Sequence, residues 1–242
     1  MMQTSLIRVI TACLISLPSA FVSAQTFDIL TDADAEIDEN SPSTNFGNAN
    51  VIDLSGATSN PGFRPKGYFK FDASSFGGSI TSVESLSFSS AGPFSKRTEW
   101  YLLDGPTVDD WTETGITWNN APVNDTSGDG FSPGPGESAD LLFAVNMGPP
   151  SRTINLDGSG AGTVESNAET LLLDALNTGN RIATIAGIHI AKNDTNVYSK
   201  EGATANSTIV PTITVVPEPS QFAGLAGLSA LLTLLALRRR RA

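Results

Sequence analysis

Lys66-Gly67-Tyr68-Phe69-Lys70-Phe71-Asp72 is the segment that indicates the class of fold most directly. Aromatic and polar side chains alternate along it, and a period of two is typical of a β-strand. The alternation predicts that Phe69 and Phe71 face a hydrophobic core, while Tyr68 and Lys70 face outward. The segment therefore predicts a strand with one buried face and one exposed face.

Short apolar or alternating runs recur between turn-rich segments, so an all-β sandwich is the simplest fold that buries them all. They span residues 33–38, 51–54, 68–71, 83–88, 99–103, 141–145, 182–190 and 209–216. Residues 166–177 have apolar side chains at helical spacing instead. We expect one short helix there, with a capping box of Ser166 and Glu169 and an end at Gly179.

The N-terminus has the three parts of a secretory signal peptide. Arg8 supplies a positive charge, residues 9–17 are apolar, and Val22-Ser23-Ala24 is a small-residue cleavage site. Residues 1–24 are therefore predicted to be removed on export. The single cysteine of the chain, Cys13, would leave with them, so the mature protein is expected to contain no disulfide.

The C-terminus combines a short acidic motif, an uncharged stretch and a basic cluster. These are Val216, Pro217, Glu218 and Pro219, then residues 221–237, then Arg238, Arg239, Arg240 and Arg241. As a helix, the uncharged stretch would rise about 25 Å and just span a membrane, with the arginines on the cytoplasmic side. A C-terminal transmembrane helix is therefore predicted at residues 221–237, within a terminal segment 217–242.

This order of features resembles the PEP-CTERM sorting signal of Gram-negative bacteria. The resemblance implies that an exosortase, a membrane protease-transpeptidase, is a partner of the chain. The exosortase would cleave off the transmembrane helix near the Pro217-Glu218-Pro219 motif and pass the protein from the inner membrane to the cell surface or extracellular matrix. A plain C-terminal membrane anchor is the alternative interpretation.

The part between the two ends, residues 25–216, is long enough for one domain with its own core. It contains 24 acidic and 9 basic side chains, which gives a net charge of −15. Such a surface repels nucleic acid and could hold divalent cations. We therefore expect no nucleic-acid partner.

Five blocks of sequence occur in an order that looks like the DNRLRE-type module, over about residues 32–216. They are Asp34-Ala35-Glu36-Ile37, Ser41-Pro42-Ser43-Thr44-Asn45-Phe46-Gly47, the Lys66–Asp72 segment, Asp110-Trp111-Thr112-Glu113-Thr114-Gly115-Ile116-Thr117-Trp118-Asn119-Asn120-Ala121-Pro122 and Tyr198-Ser199-Lys200-Glu201. The resemblance implies a secreted β-sandwich of jelly-roll type. Members of that family are grouped with carbohydrate-binding modules and accompany polysaccharide-degrading enzymes.

An acidic domain resists anionic polysaccharides unless basic side chains cluster locally. We expect such a cluster, and with it the glycan contacts, at Arg64, Lys66, Tyr68, Lys70 and Arg97. A solvated surface role is the alternative for each of them. The tryptophans Trp111 and Trp118 are expected to pack in the core from separate segments, joined by a turn at residues 114–115, with stacking on a sugar ring as the alternative.

Acidic residues alternate along residues 32–38, so an extended chain would place four carboxylates on one face about 6.7 Å apart. A hard cation would relieve their repulsion, although the spacing does not fit an EF-hand. Glu201 lies near the C-terminal strand. We predict a structural Ca²⁺ site at Asp32 or Asp34 with Glu201, with a solvated acidic edge as the alternative, and no required cofactor.

Little in the sequence indicates catalysis. The single histidine, His189, lies between two isoleucines in an alternating run, which predicts an outward side chain. A multi-histidine zinc site is therefore excluded, and a histidine-based triad is disfavoured. Paired carboxylates for glycoside hydrolysis are left open, because such partners meet only in space.

The sequence thus predicts an exported, non-catalytic surface or matrix protein that binds extracellular polysaccharide. The first alternative is a structural or adhesion protein of the matrix without specific glycan recognition. The second is a polysaccharide-degrading enzyme.

Overall fold

A computed structural model describes residues 25–54, 64–92, 96–147, 151–160, 162–189 and 195–218. The predicted signal peptide, the predicted transmembrane helix and the sorting-motif residues Pro219, Arg238, Arg239, Arg240 and Arg241 lie outside these residues. Within the described part, no helix combines the length and the apolar character that crossing a membrane requires.

The described residues form a β-sandwich with two short α-helices, which confirms the predicted all-β class. The strands are β1 (Phe27–Ile37), β2 (Val51–Leu54), β3 (Lys66–Asp72), β4 (Ile80–Ser89), β5 (Lys96–Asp104), β6 (Ser138–Met147), β7 (Ser151–Asn155), β8 (Thr163–Val164), β9 (Ile182–His189), β10 (Thr195–Tyr198) and β11 (Thr212–Pro217). The helices are α1 (Ala168–Asn177) and α2 (Lys200–Ala205), and a 3₁₀ turn covers Val108–Asp110.

Strand β1 belongs to both layers of the sandwich. Its first part, from Phe27 to Leu30, pairs with β11, and its second part, from Thr31 to Ile37, pairs with β3. The register shifts between Thr31 and Ala33, and such a bulge bends and twists a strand. One layer therefore has the order β7-β4-β11-β1 and the other has the order β1-β3-β9-β5-β6-β8, while β10 and β2 pair separately.

The main core lies between these layers and is centred on Trp100 of β5. Its ring stacks on Phe88 at a centroid distance of 4.2 Å and on Phe143 at 5.9 Å, and Phe69 lies 5.5 Å away. Gly187 of β9 is opposite Trp100, and a Cβ atom there would approach the indole ring to 2.9 Å. The absence of a side chain at this position lets the ring lie flat against the strand.

A second apolar cluster lies on the other face of the β3 layer. The 33-residue connection between β5 and β6, residues 105–137, folds over that face, and we call it the cover segment. Its buried residues Val108, Trp111, Ile116, Trp118 and Val123 pack against strand residues Ala33, Ala35, Ile37, Tyr68, Leu103 and Ala186. The β3 layer is therefore covered on both faces.

This cover corrects the predicted orientation of two residues. Phe69 and Phe71 face the main core as predicted, but Tyr68 and Lys70 do not face solvent, because the cover segment buries them. Trp111 and Trp118 are buried, as predicted, and reach the second cluster from the two sides of a turn closed by the Gly115 N–H and the Thr112 carbonyl. Alternation shows that two faces differ, but not that another segment covers one of them.

His189 also departs from its predicted orientation. The prediction placed the isoleucines in the core and the histidine outside, but His189 is 1% exposed. It shares its face of β9 with Ile185, which belongs to the main core, whereas Ile188 points to the opposite face. The alternation along β9 is present, but His189 lies on the face that packs in the main core. The pattern could not show which face is exposed, because both faces of this central strand are buried.

The helix predicted at residues 166–177 is present as α1 and is followed by Gly179 at a φ of 55°. Its N-cap residue is Asn167, without a side-chain capping bond, so the predicted capping box of Ser166 and Glu169 is wrong. The six-residue helix α2 and the short strands β7, β8 and β10 were not predicted. Segments this short carry too few residues for a periodic signal.

Two residues of the predicted sorting motif belong to the sandwich. Val216 and Pro217 are the last residues of β11, and the Glu218 N–H donates to the Ser79 carbonyl at 3.0 Å. The strand therefore continues one residue beyond the predicted domain end at residue 216, and Glu218 adds one further backbone hydrogen bond.

Candidate functional site

A cavity of about 350 Å³ opens in the cover segment. Among the residues that the structure describes, its lining comes from that segment: Thr107, Asp110, Trp111, Thr112, Gly115, Ile116, Asn120, Pro122 and Glu137. Trp111 and Ile116 contribute buried apolar surface, while the carboxylates of Asp110 and Glu137 contribute hydrogen-bond acceptors. A cavity with apolar walls and a few polar groups is typical of small-molecule and sugar sites.

Trp111 is held rigidly at this cavity. Its indole N–H donates to the Thr184 hydroxyl at 3.2 Å, and its ring meets Tyr68 edge to face at a centroid distance of 6.2 Å. Thr184 in turn donates to the Asp109 carboxylate at 2.7 Å. Because these bonds fix the ring from behind, the surface that it offers to the cavity is preorganised.

The ammonium group of Lys66 is enclosed by the cover segment. It donates to the Asn124 side-chain oxygen at 2.7 Å and to the carbonyls of Gly130, Asp125 and Gly128 at 2.5, 3.3 and 3.3 Å. It also lies 4.7 Å from the ring centroid of Trp118, a cation-π contact. Burial lowers the pKa of Lys66 to about 8, against the partial compensation of nearby Asp125 and Asp129.

Lys70 and Tyr68 hold the beginning and middle of the cover segment in the same way. Lys70 donates from Nζ to the carbonyls of Asp109, at 2.8 Å, and Trp111. The Tyr68 hydroxyl donates to the Pro122 carbonyl at 3.0 Å. Three side chains of β3 therefore attach the cover segment to the sheet.

The structure thus corrects the glycan-contact prediction for Lys66, Tyr68 and Lys70. All three are buried, and their ammonium and hydroxyl groups already donate to oxygen atoms of the cover segment, so these groups are not available to a polysaccharide. Arg64 is half-buried and forms ion pairs with Asp129 at 3.0 Å and Glu39 at 3.6 Å. Arg97 is exposed, and its guanidinium lies 3.9 Å from the Glu99 carboxylate. Glycan contact by Arg64 and Arg97 stays a prediction.

Three carboxylates meet at a second place, where β1, the cover segment and α2 come together. Asp34, Glu113 and Glu201 each offer a carboxylate oxygen, and these oxygens lie within 4.8 Å of one another. Asp34 and Glu201 are thus brought together as predicted. Asp32 is exposed and offers only its backbone carbonyl nearby, which accepts from Lys200 Nζ at 2.7 Å.

Glu113 is the member of this cluster that sequence reasoning missed. It lies within the block from Asp110 to Pro122, 79 residues after Asp34 in the chain, and we interpreted that block as structural. Asn45 positions the backbone there by donating to the carbonyls of Glu113 and Ile116, both at 2.7 Å. The only signal in the sequence was a carboxylate within a motif of otherwise turn-forming and aromatic residues.

Two carboxylates of β1 are strongly affected by their surroundings. Burial raises the pKa of Asp34 to about 7, although Asp34 accepts from the Lys200 N–H at 2.8 Å. Burial also raises the pKa of Glu36 to about 7, although Glu36 accepts from the Asp53 N–H at 2.7 Å. The alternative of a solvated acidic edge therefore does not describe Asp34 and Glu36, because both are largely buried and accept from backbone N–H groups of α2 and β2.

Comparison with known families agrees with the fold. A model of carbohydrate-binding module family 96 matches residues 25–133. This range holds strands β1 to β5 and most of the cover segment, including eight of the nine residues that line the cavity. The match supports a carbohydrate-binding-module-like β-sandwich and, with it, carbohydrate binding. A search of curated proteins finds no match.

Proposed function

We propose that this chain is an exported, non-catalytic protein that binds a neutral extracellular polysaccharide through the cavity of its cover segment. The observation that carries the proposal is the match to the carbohydrate-binding module family over residues 25–133, which contain nearly the whole cavity lining. Trp111, although only 8% exposed, supplies part of the apolar wall of the cavity, and the exposed Asp110 offers an acceptor to sugar hydroxyls.

A neutral glycan fits this surface better than an anionic one. Asp110 and Glu137, the charged side chains among the described lining residues, are both acidic. The ammonium groups of Lys66 and Lys70 are directed into protein carbonyls and are not available to a ligand. An anionic polysaccharide would therefore meet like charge at the cavity, in a domain that is already strongly acidic.

Affinity electrophoresis of the full chain through gels that contain neutral or anionic polysaccharides tests the proposal. We expect retention by at least one neutral polysaccharide, and loss of that retention in Asp110→Ala. Asp104→Ala is the matched control, because Asp104 is also an exposed aspartate but lies at a separate cavity beside α1. Loss of retention in Asp104→Ala alone would show that the cavity is wrongly assigned.

Retention by no polysaccharide of a broad panel would contradict glycan binding altogether and favour the structural or adhesion role. Release of new reducing ends from a retained polysaccharide would contradict the non-catalytic role. The buried position of His189, the single imidazole of the chain, supports that role because it keeps the group from substrate.

We further propose that the protein is exported, anchored in the inner membrane by residues 221–237 and then released by an exosortase to the surface or matrix of a Gram-negative bacterium. The sequence features of both ends support this route. Mass spectrometry of the protein from fractionated cells tests it. A mature chain that starts near Gln25 and lacks Arg238 to Arg241 is expected, and an intact chain in the cytosol would refute the proposal.

A further inference from the structure

The cluster of Asp34, Glu113 and Glu201 joins three parts of the chain that are distant in sequence. Asp34 belongs to β1, Glu113 to the cover segment and Glu201 to α2. Their carboxylate oxygens lie within 4.8 Å of one another, which is close enough for one ion to contact all three. Two oxygens on opposite sides of a calcium ion, each at about 2.4 Å, are separated by about 4.8 Å.

Asp34 supplies an independent sign that the cluster receives a ligand. Its side chain is 1% exposed, and its Oδ1 has no hydrogen-bond partner among the described residues. Glu113 Oε1 and Glu201 Oε2 are also buried without such a partner in the same part of the chain. A buried carboxylate oxygen without a donor or cation is costly, and here three occur together.

Lys200 only partly balances the charge of the cluster. Its Nζ donates to Glu113 Oε2 at 2.7 Å and lies 3.7 Å from Glu201 Oε1. Three carboxylates and one ammonium group carry a formal charge of −2, which equals the charge that one divalent cation would neutralise. Lys200 also leaves the other oxygen of each glutamate unpaired.

We propose that Asp34, Glu113 and Glu201 form a calcium site that ties the cover segment to β1 and α2. All three ligands are carboxylates, the hard oxygen donors that calcium prefers, and among the described residues no imidazole or thiol joins them. Calcium also tolerates irregular geometry and completes its shell with water, which suits a site at the meeting point of a strand, a turn and a helix.

Calorimetric titration of the full chain, purified in detergent and freed of metal by EDTA, tests the site. Calcium chloride should bind saturably at one ion per chain. Calcium at 100-fold above Kd should raise Tm by roughly 5 to 10 °C. Absence of both effects would overturn the proposal, and an equal Tm increase with magnesium chloride would overturn the choice of calcium.

Glu113→Gln and Glu201→Gln should each weaken calcium binding on the order of tenfold or more, because each removes one anionic ligand. Glu165→Gln is the matched control, since Glu165 is exposed and lies outside the cluster. In metal-free protein, Glu201→Gln should be at least as stable as the wild type, because like-charge repulsion is relieved. An equal loss of Tm with and without calcium would reveal a purely structural role and contradict the site.

Discussion

At the scale of single residues, Lys66 illustrates how a charge can serve the fold. Its ammonium group is surrounded by carbonyl oxygens and by the ring of Trp118, and burial lowers its pKa from 10.5 to about 8. In the unfolded chain the group regains its ordinary pKa. Between these two values the unfolded state binds more protons than the folded state, so stability rises with pH.

We therefore expect the free energy of unfolding of the wild type to increase by about 2 kcal/mol between pH 7.5 and pH 10 relative to Lys66→Met. Methionine keeps the apolar stem and removes the titrating group. Denaturant unfolding of both proteins at the two pH values measures the difference, and other titrating groups cancel in the comparison. Parallel pH dependences of the two proteins would contradict a depressed pKa at Lys66.

At the scale of structural elements, the cover segment depends on β3 for its position. The Tyr68 hydroxyl is fully buried and donates to Pro122, in the middle of the segment. Tyr101 of β5 makes a comparable bond to Glu99 at 2.7 Å, but it is only partly buried. Tyr68 and Tyr101 can therefore be compared directly, because each donates one hydroxyl hydrogen bond and they differ in burial.

Tyr68→Phe should destabilise the protein by about 1 to 2 kcal/mol, because it leaves the Pro122 carbonyl without its donor inside the fold. Tyr101→Phe should cost less than about 0.5 kcal/mol, because water reaches that site. Denaturant unfolding gives both values, and limited proteolysis should show earlier cleavage within residues 105–137 for Tyr68→Phe only. Equal costs for the two substitutions would show that the Tyr68 bond does not hold the cover segment.

The longer strands and α1 could be predicted from sequence because each carries its own periodic signal, whereas the short strands β7, β8 and β10 do not. Phe69 and Phe71 alternate with polar residues, and Leu172 and Leu176 lie one helical turn apart on the buried side of α1. The cover segment has no such period, since it is built from turns. Its buried residues are recognisable as apolar, but the sheet face that they occupy is fixed only by the tertiary fold.

At the scale of the whole molecule, the sequence indicated that the first and last parts of the domain meet, but not which segment covers the sheet. Asp34 and Glu201 lie close together, as expected from the meeting of these two parts, although Glu201 lies on α2, which was not predicted, and the calcium site stays a prediction. The prediction of an outward basic surface at Lys66 and Lys70 was wrong, although both residues lie on a regular strand. A long connection returned over the sheet, and nothing in the local pattern indicated where it would lie.

The two proposed sites share the cover segment, so they should be coupled. Glu113, a proposed calcium ligand, is adjacent to Thr112 and two residues from Trp111 and Gly115, all of which line the cavity. Calcium would hold this turn in one conformation, and a glycan would then lose less entropy in binding to it.

We expect EGTA to weaken binding of the retained neutral polysaccharide on the order of fivefold in the wild type and in Glu165→Gln, but not in Glu113→Gln. By linkage, saturating polysaccharide must strengthen calcium binding by the same factor, and titration with calcium measures this directly. Calcium binding that is indifferent to the polysaccharide would show that the turn is already rigid without the ion.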